Sequence, residues 1–187
     1  PRQLADAPSD GPLLALFEPD HMQFSHDRPQ DGAGEPTLAE MTRTAIARLQ
    51  QGDKGYVLLV EGGRIDHAHH YGNAYRALTD TIALSEAVQA AADATSAQDT
   101  LILVTADHAH TLSFVGYPRR GNPILGKVQG SSGEDGDNGT YAIDQLGLPY
   151  TTLSYSNGPG FVGESAQQPE GPKRFLHASS GVQIPKK

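Results

Sequence analysis

Two apolar segments, each followed by a group of histidines and acidic residues, constrain the fold of this chain more than any other feature. Residues 56–60 and 100–105 are mainly apolar runs of the length typical of buried strands in a parallel sheet. Charged and imidazole side chains follow directly, in residues 61–70 and 106–110. In open α/β sheets, ligands bind beyond the carboxyl ends of such strands. The pattern therefore predicts an α/β fold with a functional site at one edge of its sheet.

The residue types in these two groups are those that bind zinc. Five of the eight histidines lie in them, and the chain has no cysteine, so imidazoles and carboxylates are the available ligands. Asp66 and His70 are four positions apart, so a helical turn puts both side chains on one face. A pair of solvated, histidine-rich loops is the alternative interpretation. The strand-end position and the carboxylates favour a metal site.

Length and charge exclude some classes of function. The 187 residues suffice for one domain with a hydrophobic core. The formal net charge of -8 argues against non-specific nucleic-acid binding, and we expect no nucleic-acid partner. No apolar run approaches the roughly 20 residues of a membrane-spanning helix, so no transmembrane segment is predicted in this chain.

The remaining patterns predict alternating strands and helices. Thr37 and Glu40 have the spacing of a capping box, and the apolar residues that follow repeat at helical intervals until Gly52. A second helix is predicted over residues 73–94. Shorter apolar stretches predict strands, at residues 13–17 and 148–155. This order of elements is typical of a doubly wound α/β sheet.

The composition changes after residue 116. Residues 117–187 are rich in glycine, proline and polar side chains, which predict loops and turns. We therefore expect two parts. Residues 1–116 would form an α/β core that carries the metal ligands, and residues 117–187 would form a loop-rich region.

At the two histidine groups the sequence resembles the alkaline phosphatase family. The first match is Val-Glu-Gly-Gly-Arg-Ile-Asp-His-Ala-His-His at residues 60–70, and the second is Thr-Ala-Asp-His-Ala-His at residues 105–110. Supporting matches lie at residues 17–19, 116–122 and 155–160. The resemblance implies that the chain is part of a doubly wound α/β/α sandwich and that residues 117–187 belong to a truncated, crown-like insertion.

The resemblance also implies a reaction and its cofactors. The family hydrolyses phosphate monoesters with two zinc ions and one magnesium ion per subunit, through a phosphoserine intermediate. By position, Asp66 and His70 would bind the first zinc, and Asp107 and His108 the second. Glu61 would bind the magnesium ion.

Two further histidines receive roles from the same resemblance. His67 would lie near the phosphate, in contact with it directly or through water. His110 would not bind metal but would fix a ligand carboxylate such as Asp66. The chemistry is suited to phosphoryl transfer, because two metals about 4 Å apart can hold the attacking and leaving oxygens of an in-line displacement.

A calcium site is implied by resemblance to the animal-type members of the family. It would use the backbone carbonyl of Phe17 and the carboxylate of Glu18. Glu35 would complete it, at a position where the family is expected to carry aspartate. All of these ligands are oxygen atoms, as calcium prefers.

Several parts of the family's site have no match in this sequence. The serine nucleophile, a bridging aspartate and the phosphate-binding arginine are expected before Pro1, and the third ligand of the first zinc is expected after Lys187. His177 lacks the sequence context of that ligand and is assigned to the surface, and Ser113 and Ser154 lack the context of the nucleophile. The chain is therefore expected to be an internal-to-C-terminal fragment that is inactive in isolation.

Partners and location follow from the same resemblance. Phosphate monoesters and inorganic phosphate are the expected ligands, a homodimer is the expected assembly, and the expected location is periplasmic, secreted or surface-anchored. Two alternatives stay open: a truncated, non-catalytic metal-binding relative, and a phosphodiesterase or mutase of the same superfamily. The missing serine favours the first, whereas the segment at residues 61–67 fits the second poorly.

Overall fold

The computed structural model describes residues 2–8, 11–130 and 141–156. Within these ranges the helices are α1 (Arg2–Ala5), α2 (Leu38–Leu49), α3 (Arg64–His70) and α4 (Ala74–Ala94), with a 3-10 turn at Arg28–Gln30. Strands β1 (Leu112–Phe114) and β2 (Leu153–Tyr155) pair antiparallel. The chain divides into a first unit, residues 1–65 with 78–108, and a second unit, residues 66–77 with 109–187.

Local capping signals define the start of α2. The Thr37 hydroxyl accepts a hydrogen bond from the Glu40 amide at 3.0 Å, and the Glu40 carboxylate accepts one from the Thr37 amide at 2.7 Å. These bonds satisfy two amides that the helix itself cannot pair, and they lower the pKa of Glu40. The predicted capping box is confirmed. The helix ends at Leu49, slightly before the predicted end at Gly52.

Small side chains hold the first unit together. The helix predicted over residues 73–94 is confirmed as α4, with only its first residue left out. Ala87 and Ala90 of α4 are buried against Ala39 of α2. Leu38 covers the edge of the cluster.

The two apolar runs do not form buried strands within the described residues, so that prediction was wrong. No strand is assigned at residues 56–60 or 100–105. Val57 is 96% exposed and Leu101 is 81% exposed. A strand buries both faces only when neighbouring strands and covering layers contact it. The sheet of the described residues contains only β1 and β2, so these extended segments leave their side chains in solvent.

Of the two shorter predicted strands, one is absent from the structure and the other is present in part. Residues 13–17 form no strand. The strand expected over residues 148–155 is confirmed only at its end, as β2, and β1 was not predicted. In the second unit, Leu153 of β2 and Val128 are buried. The division of the chain at residue 116 stays a prediction.

Residues 131–140 and 157–187, including His177, lie outside the described ranges. In the part of the chain that is described, no helix is both long enough and apolar enough to cross a membrane.

Candidate metal centre

A glycine pair and an arginine fix the start of α3. A Cβ atom on Gly62 would lie 3.2 Å from the Ile65 side chain and 3.5 Å from Leu84, so the close packing here favours glycine. The Ile65 amide donates a hydrogen bond to the Gly62 carbonyl at 3.1 Å. The guanidinium of Arg64 lies 3.8 Å from the centre of the Phe24 ring, a cation–π contact. The helix that carries the histidines therefore begins at a defined place.

The second unit brings together Asp66, His70 and His110. Asp66 and His70 lie one turn apart on α3, which confirms the predicted helical spacing. The Nε2 atom of His70 lies 3.5 Å from Oδ2 of Asp66, and Nε2 of His110 lies 3.0 Å from Oδ1 of Asp66. The candidate ligand atoms of the three residues are all within 4.8 Å of one another. We call these three residues together with His69 the histidine cluster.

These distances distinguish two kinds of contact. Zinc bonds of about 2.0–2.1 Å in a tetrahedral site put two ligand atoms roughly 3.3–3.4 Å apart. The separation of 3.5 Å between His70 and Asp66 is close to that value. The separation of 3.0 Å between Nε2 of His110 and Oδ1 of Asp66 is shorter than that value, and among the described residues this close polar contact lacks the angle of a hydrogen bond. The residues therefore fit a zinc ion held by Asp66 and His70, with His110 in contact with the other carboxylate oxygen.

His69 and Tyr155 are in contact at this site, and no role was predicted for either of them from the sequence. The Nδ1 atom of His69 lies 2.8 Å from the Tyr155 hydroxyl, and the His69 ring stacks on His110 with centroids 4.7 Å apart. Burial raises the pKa of Tyr155 to about 12. Burial and the neighbouring His110 lower the pKa of His69. Membership of the histidine group could have drawn attention to His69, whereas Tyr155 is 86 residues away in sequence.

The ligands expected for the second zinc and for magnesium are exposed. Asp107 and His108 belong to the first unit, where the His108 amide donates to the Asp107 carboxylate at 3.0 Å and the imidazole Nε2 lies 3.6 Å from the other oxygen. Glu61 is exposed, and His67 lies half-buried on α3. The metal roles of Glu61, Asp107 and His108 and the phosphate role of His67 stay predictions.

A second group of candidate ligands, the acidic cluster, consists of Glu18, Asp31 and Glu35. Their carboxylates offer oxygen atoms that lie within 4.8 Å of one another. Glu35 is only 3% exposed, and its Oε2 accepts a hydrogen bond from the Gln23 amide at 2.8 Å. Its Oε1 is buried and accepts no hydrogen bond from the described residues. Burial, reinforced by the other two carboxylates, raises the pKa of Glu35.

Asp31 is the member of the acidic cluster that the sequence did not predict. It accepts hydrogen bonds from the amides of Ala33 at 3.0 Å and Gly34 at 2.9 Å, and these bonds lower its pKa. A cation would neutralise three adjacent carboxylates and give the buried Glu35 oxygen a partner. The oxygen donors thus fit a hard cation such as calcium. The participation of Phe17 stays a prediction.

Comparison with known proteins identifies the family. The family model described as alkaline phosphatase matches residues 2–174. The membrane-bound alkaline phosphatase of Bombyx mori is 44% identical over 158 residues, which cover 84% of this chain and 26% of that protein. The tissue-nonspecific alkaline phosphatase isozymes of Gallus gallus and Homo sapiens are 45% and 43% identical over 149 residues, covering 80% of this chain and 26% of each isozyme.

The chain therefore spans about a quarter of the length of these curated relatives. Both the family match and the identities extend well beyond the histidine motifs, so the resemblance inferred from those motifs is confirmed. The chain belongs to the alkaline phosphatase family.

Proposed function

We propose that the protein to which this chain belongs hydrolyses phosphate monoesters in a metal-dependent reaction. The relatives that it resembles are named as phosphatases. The observation that carries the proposal is the geometry of Asp66, His70 and His110, whose ligand atoms converge within 4.8 Å. The reaction proceeds through a phosphoserine intermediate, and the nucleophilic serine lies outside this chain. The 187-residue chain alone is expected to be inactive.

The metal ligands of the proposal are those implied by the family. Asp66 and His70 hold the first zinc, Asp107 and His108 hold the second, and Glu61 holds the magnesium ion, giving two zinc ions and one magnesium ion per subunit. When bound, such ions supply positive charge that polarises phosphoryl oxygens and acidifies a coordinated hydroxyl or water.

The side chains of this chain position those ions and the substrate. The two oxygens of Asp66 face different imidazoles, at 3.5 Å for His70 and 3.0 Å for His110. One oxygen can therefore act as a ligand while His110 keeps the carboxylate from rotating. His67 contacts the phosphate, directly or through water. Because the site holds the phosphoryl group, the leaving group of the ester can vary.

The acidic cluster forms a separate calcium site in this proposal. Glu18 and Glu35 act with the carbonyl of Phe17, as the family resemblance implies, and Asp31 adds a carboxylate. The observation that supports it is the buried Oε1 of Glu35, which has no hydrogen-bond partner in the described part of the chain. Calcium takes six to eight oxygen ligands, so a site built from several carboxylates and a carbonyl suits it.

The larger assembly is proposed on family grounds. The chain is part of a doubly wound α/β/α sandwich. Residues 117–187 belong to a crown-like region that caps a homodimer. The protein is periplasmic, secreted or surface-anchored, and its ligands are phosphate monoesters and inorganic phosphate.

Turnover of a monoester and a diester by the full-length polypeptide tests the reaction class. We expect hydrolysis of 4-nitrophenyl phosphate that is lost with a chelator and restored by zinc with magnesium. Bis(4-nitrophenyl) phosphate should be hydrolysed far more slowly. Preferential diester turnover would instead indicate a phosphodiesterase. Zinc binding without turnover of either ester would indicate a non-catalytic metal-binding relative.

A further inference from the structure

His69 lies on α3 between two proposed zinc ligands, yet its side chain is engaged elsewhere. Its Nδ1 atom lies 2.8 Å from the hydroxyl of Tyr155. The two rings are tilted by 55° with centroids 5.7 Å apart, so the hydroxyl rather than the face of the tyrosine meets the imidazole. The contact is a hydrogen bond between side chains 86 residues apart.

His110 is the second neighbour of the His69 ring. The His69 ring stacks on the His110 ring at 4.7 Å with an interplanar angle of 23°. The His70 ring meets His110 edge-on, at 5.1 Å and 88°. Two imidazoles therefore limit the rotation of His110, whose side chain is only 15% exposed. Its Nε2 is left 3.0 Å from Oδ1 of Asp66.

The β1–β2 ribbon brings Tyr155 to this place. In its register Leu112 is opposite Tyr155, only two residues after His110. Backbone bonds flank the pairing, from Ser156 N–H to the Thr111 carbonyl at 3.3 Å and from Val115 N–H to the Thr152 carbonyl at 2.9 Å. The ribbon thus fixes Tyr155 and His110 relative to each other through the backbone, independently of their side chains.

We propose that Tyr155 and His69 are positioning residues that hold the His110 imidazole against Asp66 and thereby raise the zinc affinity of the Asp66–His70 pair. The inference rests on the proposed function, because it takes Asp66 and His70 as zinc ligands. The order of contacts is Tyr155 hydroxyl, His69 ring, His110 ring and Asp66 carboxylate. Tyr155 and His69 touch neither metal nor substrate, so their effect acts through His110.

Removing the Tyr155 hydroxyl tests the first contact in this order, the one between Tyr155 and His69. In the full-length polypeptide, Tyr155→Phe removes only the atom that bonds His69. We expect zinc affinity, measured by competition with a chelating dye, to fall by about tenfold, at the low end of the roughly 10–100-fold cost of losing an outer partner of a metal ligand. The visible absorption of the cobalt(II)-substituted protein should shift as well, because its ligand geometry changes.

The matched control is Tyr141→Phe. Tyr141 also belongs to the second unit, and its ring lies 5.2 Å from the Lys127 ammonium. This variant should bind zinc as the wild type does. If Tyr155→Phe only loosened the packing, the thermal stability of the metal-free protein would fall, but the cobalt spectrum of the folded protein would not change. Measuring both therefore separates a positioning role from a general loss of stability.

A double-mutant cycle tests whether Tyr155 acts through His69. His69→Phe keeps an aromatic ring that can stack on His110 but cannot bond the Tyr155 hydroxyl. If Tyr155 acts through His69, Tyr155→Phe should have no further effect on zinc affinity in the His69→Phe background. Additive losses would overturn the proposed order of contacts. The His69→Phe variant also keeps the proposal testable if Tyr155→Phe fails to fold.

The outcomes distinguish this inference from the function on which it rests. Unchanged zinc affinity and an unchanged cobalt spectrum in Tyr155→Phe, with normal zinc binding by the wild type, would overturn the positioning role alone. Failure of the wild-type polypeptide to bind zinc would overturn the proposed function and this inference with it.

Discussion

The histidine cluster and the acidic cluster are both candidate metal sites, but they are built differently. In the histidine cluster one helical turn supplies Asp66 and His70, and a distant segment supplies His110. In the acidic cluster all three carboxylates, Glu18, Asp31 and Glu35, come from a loop-rich segment that precedes α2. The first site mixes nitrogen and oxygen atoms, whereas the second offers oxygen alone.

This difference indicates which ion each cluster suits and what holds its ligands in place. Imidazole with carboxylate suits zinc, and carboxylates alone suit calcium. Within the histidine cluster the polar atoms face one another, as at the 3.0 Å contact of His110 with Asp66. Within the acidic cluster like charges meet, and Oε1 of Glu35 is buried without a partner among the described residues. Side-chain contacts therefore bring opposite polar groups together in the first site, whereas in the second a bound cation would offset the repulsion between carboxylates.

The largest expected effect is a loss of zinc affinity at the histidine cluster. Asp66→Asn replaces an anionic ligand by a neutral amide of the same size and also disturbs the contact with His110. We expect zinc affinity to fall by more than the roughly 10–100-fold that loss of an outer partner costs. Chelator competition on the full-length polypeptide measures it. Asp93→Asn, on the exposed side of α4, is the matched control. Equal zinc affinities of the two variants would remove Asp66 from the site.

The second largest expected effect is a loss of stabilisation by calcium at the acidic cluster. Glu35→Gln keeps an oxygen that can accept from the Gln23 amide but removes one of the converging charges. Calcium at ten times its dissociation constant should stabilise the full-length wild type by about 1.4 kcal/mol and raise its melting temperature by about one degree. The Glu35→Gln variant should show little of this shift. Differential scanning calorimetry, with exposed Glu86→Gln as control, measures the difference. A full calcium shift in Glu35→Gln would contradict the proposed site.

The smallest expected effect is on the pH dependence of folding stability, and it arises from a buried carboxylate that accepts hydrogen bonds. Asp80 accepts hydrogen bonds from the amide and hydroxyl of Ser25, at 3.3 and 3.2 Å. Burial nevertheless raises the pKa of Asp80 above 3.8. The folded state therefore holds the proton more tightly than the unfolded state, and this contribution to stability is lost as pH rises through the folded pKa.

Asp80→Asn removes that titration. The stability of the wild type relative to this variant should fall as pH rises from just below 3.8 through the raised folded pKa. Urea unfolding of both proteins across this range, without added metal, measures the difference. A relative stability that rises with pH would show that the Ser25 bonds outweigh burial. The calcium-induced shift should be unchanged in Asp80→Asn, which separates this carboxylate from the acidic cluster.

The sequence alone determined the features that depend on neighbours in the chain. The capping box of Thr37 and Glu40, the helix α4 and the helical spacing of Asp66 and His70 are all local patterns, and each is present. The family was identifiable because its motifs are short, specific and arranged in order. Local propensity was not enough for the apolar runs, since burial of a strand depends on the neighbours that cover it.

Tertiary structure decided which distant side chains meet. The contact of Tyr155 with His69 depends on the register of β1 and β2, and no nearby residue signals that register. Asp31 joins Glu18 and Glu35 because the loop folds back on itself. The geometry of a site requires atoms to meet within about 3–4 Å. Sequence spacing can specify such distances along one helical turn, whereas chain folding alone sets them between separate segments.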